Sequence, residues 1–213
     1  MLVVGHVLTA LLVTPRTDEA AWELLLLDRS LTVRTQVGGQ VQALLGRGEW
    51  WRLFTSVGLH ASSVHLTVNA ISLVALGRLL EPWVGGLRWL GWFAAGGLGA
   101  SLASWWMGVP RSDGASGGAF ALLGAALVLG WRFRAHLVPE DRRLYGRTLG
   151  LLAGINIVLS LVLPFIDATS HVGGLLVGAA VALIPPGALD RALWALLVGA
   201  FLGATAMGGW SSL

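Results

Sequence analysis

The sequence predicts an all-α protein that crosses a membrane several times. Of its 213 residues, 55% are hydrophobic and only 12% are charged, whereas a soluble domain carries roughly 25% charged residues. The 30 glycines and 11 tryptophans point the same way, because glycine allows membrane helices to pack closely and tryptophan favours the lipid–water interface. Too little charge is available to cover a water-facing surface, so we expect most of the chain to lie in a bilayer.

Apolar stretches predict where the chain crosses the membrane, since a spanning helix needs about 20 residues at about 1.5 Å per residue. They lie at residues 59–77, 89–107, 116–131, 148–166, 169–184 and 192–210. A shorter stretch, 2–13, lacks the charged start and cleavage site of a signal peptide, so we expect it to be a first helix. The prediction is a single domain over 1–213, with a six-helix bundle over about 1–187 and a seventh transmembrane helix at about 190–211.

Composition also excludes some kinds of site. The chain has no cysteine, so neither a disulfide nor a thiolate metal site can form. All 14 basic side chains are arginine, and no basic stripe with interleaved aromatic residues is present. We therefore expect no nucleic-acid partner.

The placement of arginine predicts the orientation, because short cytoplasmic loops carry excess positive charge. If the long loop 14–57 lies outside, the inner loops hold eight arginines and four acidic residues, and the outer segments hold six arginines and seven acidic residues. The arginine-rich loop 132–147 decides the assignment. We expect a multi-pass protein of the cell membrane (plasma or inner membrane) with its N-terminus inside.

Two glycine series are expected to mark close helix packing. They are Gly146, Gly150 and Gly154, and Gly174 and Gly178, with members four residues apart. In lipid, small residues let helix backbones approach and gain dispersion contacts.

Polar residues are rare within the predicted helices, and three of them fall at one depth. Measured from the cytoplasmic ends of their helices, His65 lies roughly 20 Å, Ser116 roughly 24 Å and His171 roughly 21 Å across a core of about 30 Å. Ionisable side chains in such positions are usually functional. The shared layer indicates a hydrated cavity that opens toward the extracytoplasmic side.

A serine and a histidine in one layer suggest nucleophilic catalysis, because a serine hydroxyl needs a base and histidine is the usual one at neutral pH. Ser116 would begin a helix, where free backbone N–H groups favour an oxyanion. His65 and Asn69 share one helix face and could donate to the same oxyanion. These residues alone leave a transporter or proton relay open, and a lone serine in a membrane helix more often bonds its own backbone.

Five motifs, in order along residues 51–178, resemble those of the rhomboid intramembrane serine proteases. They are Trp51-Arg52, His60-xxxx-His65-xxx-Asn69, Gly77-xxx-Glu81-xxx-Gly85, Gly114-Ala115-Ser116-Gly117 and His171-xx-Gly174-xxx-Gly178. Any one of these strings is weak evidence, but five in order at these spacings are specific.

The resemblance implies a serine endopeptidase that cleaves transmembrane segments of membrane-anchored proteins without metal or cofactor. It implies Ser116 as nucleophile and His171 as general base, in a dyad that forms an acyl-enzyme and has no acidic third member. Gly114 would line the site. His65 and Asn69 would join the backbone N–H of Ser116 in binding the oxyanion.

Two positions depart from the family pattern. Phe120 stands four residues after the nucleophile, where tyrosine is frequent; its ring can pack against the imidazole of His171 but cannot donate a hydrogen bond. Ser170 stands where alanine is usual. Neither change removes a catalytic group. Asp167, four residues before the histidine, is interpreted as a helix N-cap and not as a third catalytic residue.

Two other functions stay open on this evidence. A non-proteolytic rhomboid-like protein would bind transmembrane helices without cutting them, although such relatives typically lose the serine or the histidine and this chain has both. A transporter is expected to carry internal repeats with broken helices, and the sequence contains no convincing repeat of that kind.

Overall fold

A computed structural model describes residues 31–185 and 187–211 of the chain. The regular structure of these residues is helical, apart from one pair of two-residue strands. The predicted first helix, 2–13, lies outside the described residues, and so does the first half of the loop 14–57.

The described part of the first loop is largely helical and is tied to a later loop. It contains α1 (Leu31–Gln36), β1 (Gln40–Val41), α2 (Gln42–Leu45) and α3 (Arg52–Gly58). β1 pairs antiparallel with β2 (Arg111–Ser112). The first loop is therefore attached directly in front of the segment that leads to Ser116.

Each of the six predicted stretches overlaps one of the long helices. These helices are α4 (Ser63–Val84), α5 (Gly86–Trp106), α6 (Ser116–Arg132), α8 (Leu149–Val162), α9 (Ala168–Val181) and α10 (Ala188–Ser211). Between α6 and α8 lie α7 (Pro139–Arg143) and a π-helical turn (Leu144–Thr148). The all-helical class is confirmed.

The predicted bounds of two helices are wrong. Helix α4 does not end at 77; it continues past Arg78 and Glu81 and stops at Gly85, whose φ of +80° suits glycine. The loop 132–147 is partly helical, because Pro139 can start a helix at the first position, where its missing N–H costs nothing. That helix runs on through the π-helical turn into α8 and ends at Val162, four residues before the predicted end at 166.

Two helical segments are long and apolar enough to cross a membrane, Ser63–Val84 and the continuous helix Pro139–Val162. Ser116–Arg132, Ala168–Val181 and Trp194–Gly203 are apolar but shorter. Large apolar side chains face outward along both long segments, including Val64 (73% exposed) and Leu161 (72% exposed). An apolar surface of this extent fits lipid and not water, so the chain is a membrane protein, while the count of seven spanning helices stays a prediction.

Helix α6 forms the centre of the bundle, and the glycines of α9 let these two helices pack closely. A side-chain carbon at Gly178 would overlap the carbonyl oxygen of Ala121, and one at Gly174 would overlap that of Gly117. Backbone therefore meets backbone along this seam, as predicted for these two glycines.

The same prediction is wrong for the series that begins at Gly146. Among the described residues, nothing lies within 4 Å of a side-chain carbon placed at Gly146 or Gly154, and at Gly150 only Leu127 does, at 3.9 Å. Spacing alone did not distinguish a packed glycine face from an open one.

We expect Gly178→Ala to destabilise the protein strongly, because the new methyl group would meet backbone of α6 that cannot rotate aside. Overpacking typically costs about 1–3 kcal/mol, and we expect the upper part of that range here. Gly154→Ala is the matched control: it makes the same change within a helix, but no described residue lies within 4 Å of the added methyl group. Alanine also favours helix by about 1 kcal/mol over glycine. Thermal unfolding in detergent measures both variants, and equal unfolding temperatures would contradict the packing described.

Candidate active site

The first loop is held by Arg52, which is only 6% exposed. Its Nη1 donates to the backbone oxygens of Thr35 at 2.7 Å and Gly39 at 3.0 Å, and its Nε donates to Glu49 at 2.7 Å. The planar guanidinium can serve three acceptors at once. The Trp51-Arg52 motif thus fastens the loop to itself at the start of α3.

A second anchor, Asp113, ties this loop to the segment before Ser116. One carboxylate oxygen accepts from the backbone N–H of Gln40 at 2.9 Å, and the other accepts from Arg34 at 3.1 Å. Burial raises the pKa of Asp113, and the neighbouring Arg34 guanidinium opposes that rise by favouring the carboxylate. The backbone N–H of Gly114 donates to the oxygen of Ser56 at 2.9 Å, so the turn into α6 is fixed from both sides.

Gly114 is required at this turn for two separate reasons. Its φ is +133°, in a region that other residues rarely adopt. A side-chain carbon there would lie 2.7 Å from Cε1 of His65 and 3.8 Å from Nδ2 of Asn69. The glycine therefore lets α4 bring these two side chains against the turn that leads into Ser116.

On α4, Ser62 caps the helix by accepting from the backbone N–H of His65 at 3.2 Å. The rings of His60 and His65 meet edge to face with centroids 5.2 Å apart. Asn69, one turn further, is 4% exposed, and its Nδ2 has no hydrogen-bond partner among the described residues. A buried donor without an acceptor is costly unless a ligand supplies one.

Ser116 is the first residue of α6 and is partly exposed. The N–H groups of a first helical turn lack partners within the helix, and the helix dipole favours negative charge there. The site thus places a hydroxyl, free backbone donors and the side chain of Asn69 around the same turn.

His171 comes to this region from α9. Its ring stacks on that of Phe120 with centroids 4.2 Å apart and planes 12° from parallel. Phe120 lies one turn after Ser116 on the same face of α6, so the imidazole lies beside the face that carries the serine. No hydrogen bond joins Ser116 to His171 within the described chain; such bonds are often long without substrate and tighten in the reacting complex.

Asp167 is the N-cap of α9, as predicted: its carboxylate accepts from the backbone N–H of Ser170 at 3.0 Å. The other carboxylate oxygen accepts from Ser104. The carboxylate is therefore used at the helix end and by α5, and no hydrogen bond joins it to His171 among the described residues.

Ser160 is a polar residue of the site that the sequence did not predict. Ser160 of α8 lies with its Oγ 2.7 Å from Nδ1 of His171. A signal was available, because Ser160 follows Arg147 by 13 residues, the same separation as between His65 and Arg78. That spacing alone is weak, because a serine in a membrane helix commonly bonds its own backbone, as Ser160 also does with Asn156.

No group of three or more His, Cys, Asp or Glu side chains in the described ranges is arranged to hold a metal ion. The structure thus brings His65, Asn69 and Gly114 around the start of α6, and it brings Phe120 and His171 together one turn deeper. The predicted role of each residue stays a prediction.

We expect Phe120→Ala to slow turnover by loosening His171, and Phe120→Tyr to be tolerated because tyrosine keeps the stacked ring. Aromatic contacts contribute about 0.5–1.5 kcal/mol beyond area, so the alanine variant should lose roughly threefold to tenfold in kcat. Removing a core phenylalanine also costs about 3–5 kcal/mol of stability, so activity must be expressed per folded molecule. Full activity of folded Phe120→Ala would rule out a role for the stacking.

Comparison with known proteins identifies relatives of the chain. Residues 47–186 match the family model of the Rhomboid domain. The chain is 34% identical over 164 residues to Rhomboid protease GluP of Bacillus subtilis (strain 168) and 35% identical over 162 residues to RHOMBOID-like protein 5 of Arabidopsis thaliana. It is 27% identical over 168 residues to Rhomboid protease AarA of Providencia stuartii.

These alignments cover most of this chain but less of its relatives. They include 73% of the chain for the first two proteins and 68% for the third. They include 31%, 50% and 59% of the relatives themselves, in the same order. The chain thus spans between about one third and three fifths of the length of these proteins.

Proposed function

This chain belongs to the rhomboid family, and we propose that it is an intramembrane serine endopeptidase that cleaves transmembrane segments of membrane-anchored proteins. The observation that carries the proposal is the pairing of two features around one end of α6. Ser116 begins the helix near the buried Nδ2 of Asn69, which has no hydrogen-bond partner among the described residues, and His171 stacks on Phe120 one turn deeper on the same face.

The proposed chemistry begins with attack by the hydroxyl of Ser116. His171 takes the hydroxyl proton while Oγ forms a bond to the carbonyl carbon of the substrate, and the carbonyl π electrons move to oxygen. The tetrahedral intermediate then collapses, the C–N bond breaks, and His171 returns the proton to the leaving amine. Water, activated by the same histidine, hydrolyses the acyl-enzyme and restores the serine.

The developing oxyanion is proposed to lie between the start of α6 and helix α4. There the backbone N–H of Ser116 and the side chains of Asn69 and His65 would donate to it. Such preorganised donors gain strength where water is scarce, because charge is poorly screened. The left-handed Gly114 leaves room for a substrate backbone at the point where a side chain would touch His65.

The substrate class follows from the chemistry of the surface and the site. A helix that arrives through lipid has its backbone N–H and C=O groups bonded internally. It must therefore unwind locally before a carbonyl can meet Ser116, and helix-destabilising residues lower that cost. We propose that the site opens to the extracytoplasmic side of the cell membrane, which the arginine-rich segment 132–147 supports.

The proposal is tested by reconstituting the protein in liposomes with a single-span substrate that carries a helix-destabilising segment near its outer end. The expected result is two fragments, with a new N-terminus inside the hydrophobic segment, and loss of both products in Ser116→Ala. The alternative, a rhomboid-like protein that only binds helices, predicts co-purification of intact substrate with no fragments. That outcome in folded protein would overturn the proposed activity.

A further inference from the structure

We infer that Ser160 is a positioning residue for the base: it fixes the tautomer and the orientation of the His171 imidazole. This inference rests on the proposed function, in which His171 must accept a proton from Ser116. The observation behind it is the contact of 2.7 Å between Oγ of Ser160 and Nδ1 of His171, from helix α8 to helix α9.

The number of hydrogens that Ser160 can donate decides the direction of that hydrogen bond. Its hydroxyl has a single hydrogen, and Oγ also lies 2.6 Å from the backbone oxygen of Asn156. A backbone carbonyl can only accept, so the hydroxyl hydrogen must lie on that bond. The proton between Oγ and Nδ1 must then come from the imidazole, which makes Nδ1 the protonated nitrogen of neutral His171.

This tautomer determines which nitrogen of His171 acts as the base in the proposed dyad. If Nδ1 carries the hydrogen, Nε2 carries the free lone pair and is the atom able to take a proton. Phe120 restrains the face of the same ring by stacking at 4.2 Å. Together the two contacts fix the plane of the imidazole and the direction in which its basic nitrogen points.

Asp167 does not orient the imidazole of His171 in place of Ser160. Asp167 is the only acidic residue within four positions of His171 in the sequence, and its two oxygens are taken by Ser170 and Ser104. A serine that only bonded its own backbone could equally face lipid. Ser160 instead is 5% exposed, whereas its neighbours Leu159 and Leu161 are 45% and 72% exposed.

The first arm of the test uses steady-state kinetics of the full chain in liposomes. Loss of one hydrogen bond and of tautomer control in Ser160→Ala should lower kcat by about tenfold and leave KM unchanged. Ser160→Thr keeps a hydroxyl that can bond both partners in a helix, and it should restore kcat to within about threefold of the original value.

Ser72→Ala is the matched control for these variants. Ser72 also donates to the carbonyl four residues earlier, Val68 at 2.9 Å, but it lies on α4 and does not contact His171. Its loss should leave kcat unchanged. An equal decrease in Ser72→Ala and Ser160→Ala would mean that the effect is one of general helix stability and would overturn the inference.

The second arm reads the tautomer without turnover, by nitrogen NMR of protein labelled at its five histidines. The signal of His171 is identified as the one missing from His171→Ala. We expect the hydrogen on Nδ1 in the unaltered protein at neutral pH, and a shift toward the other tautomer in Ser160→Ala. A hydrogen on Nε2 in the unaltered protein overturns the inference, even if Ser160→Ala fails to fold.

The two arms also separate this inference from the proposed function. Absence of cleavage by a protein whose His171 carries its hydrogen on Nδ1 would reject the protease and leave the tautomer assignment standing. Serine-dependent cleavage with the opposite tautomer would reject the role of Ser160 and leave the protease standing.

Discussion

Ser116→Ala and His171→Ala are each expected to reduce cleavage of a transmembrane substrate to background, a loss on the order of 10⁴-fold or more. Without His171 the hydroxyl of Ser116 has no base, and without Ser116 the base has no proton to take. Residues that act as one unit give losses that do not add. The double variant should therefore be no less active than either single variant.

The measurement is a quantitative cleavage assay of the unaltered protein, both single variants and the double variant, with thermal unfolding recorded for each. His136→Ala and Ser72→Ala serve as matched controls, because they remove the same side chains at a distance from the site. Substantial cleavage by folded Ser116→Ala would exclude the serine mechanism. Multiplying losses in the double variant would show that the two residues act independently.

Asn69→Ala is expected to have the next largest effect, a loss of up to about 10²–10³-fold in kcat, the range known for removal of one strong oxyanion donor. The reason is its Nδ2, which lies beside Gly114 and is buried without a partner among the described residues. A donor that makes no hydrogen bond in the free protein can form one with the oxyanion without breaking another. The loss is smaller if His65 and the N–H of Ser116 compensate.

Kinetics and unfolding should be measured together for this variant. Thr67→Ala is the control on the same helix, since its hydroxyl bonds the backbone oxygen of Ser63 and faces away from the site. We expect Asn69→Ala to fold normally, because Nδ2 has no acceptor among the described residues that the substitution would leave unsatisfied. Unfolding of Asn69→Ala with unchanged turnover per folded molecule would instead identify a structural residue.

The helices could be predicted from the sequence because lipid demands long apolar segments, whatever their contacts. Their ends depended on local chemistry that hydropathy does not report. Helix α4 passes through Arg78 and Glu81 because charged side chains do not interrupt a helix at a membrane boundary, and it stops only where Gly85 adopts a left-handed conformation. Pro139 started a helix in a segment that its charge marked as loop.

Packing was less predictable than helix position, since a glycine pattern has the same spacing whether or not a neighbour covers it. Gly178 meets the backbone of Ala121, whereas no described residue lies within 4 Å of a side-chain carbon placed at Gly154. Only the three-dimensional approach of α9 to α6 distinguishes the two. The same limitation applies to Ser160, whose contact with His171 depends on how α8 is rotated about its axis.

The candidate residues of the site could be named because each is a rare polar or glycine residue at a fixed spacing. Depth counting placed His65, Ser116 and His171 in one layer, and motif resemblance proposed their roles. The sequence could not supply the contact of Asp167 with Ser104 or the direction of the imidazole. Both depend on how separate helices are placed and rotated against one another.

A serine-directed fluorophosphonate, followed by peptide mass spectrometry, shows whether Ser116 is a nucleophile activated by His171. We predict one phosphonylated residue, Ser116, in the folded protein in detergent. Labelling should be lost in His171→Ala, retained in His136→Ala and slowed by a transmembrane substrate. An adduct on a different serine would contradict this role of Ser116. So would the absence of an adduct on folded protein at reagent levels that label other serine hydrolases.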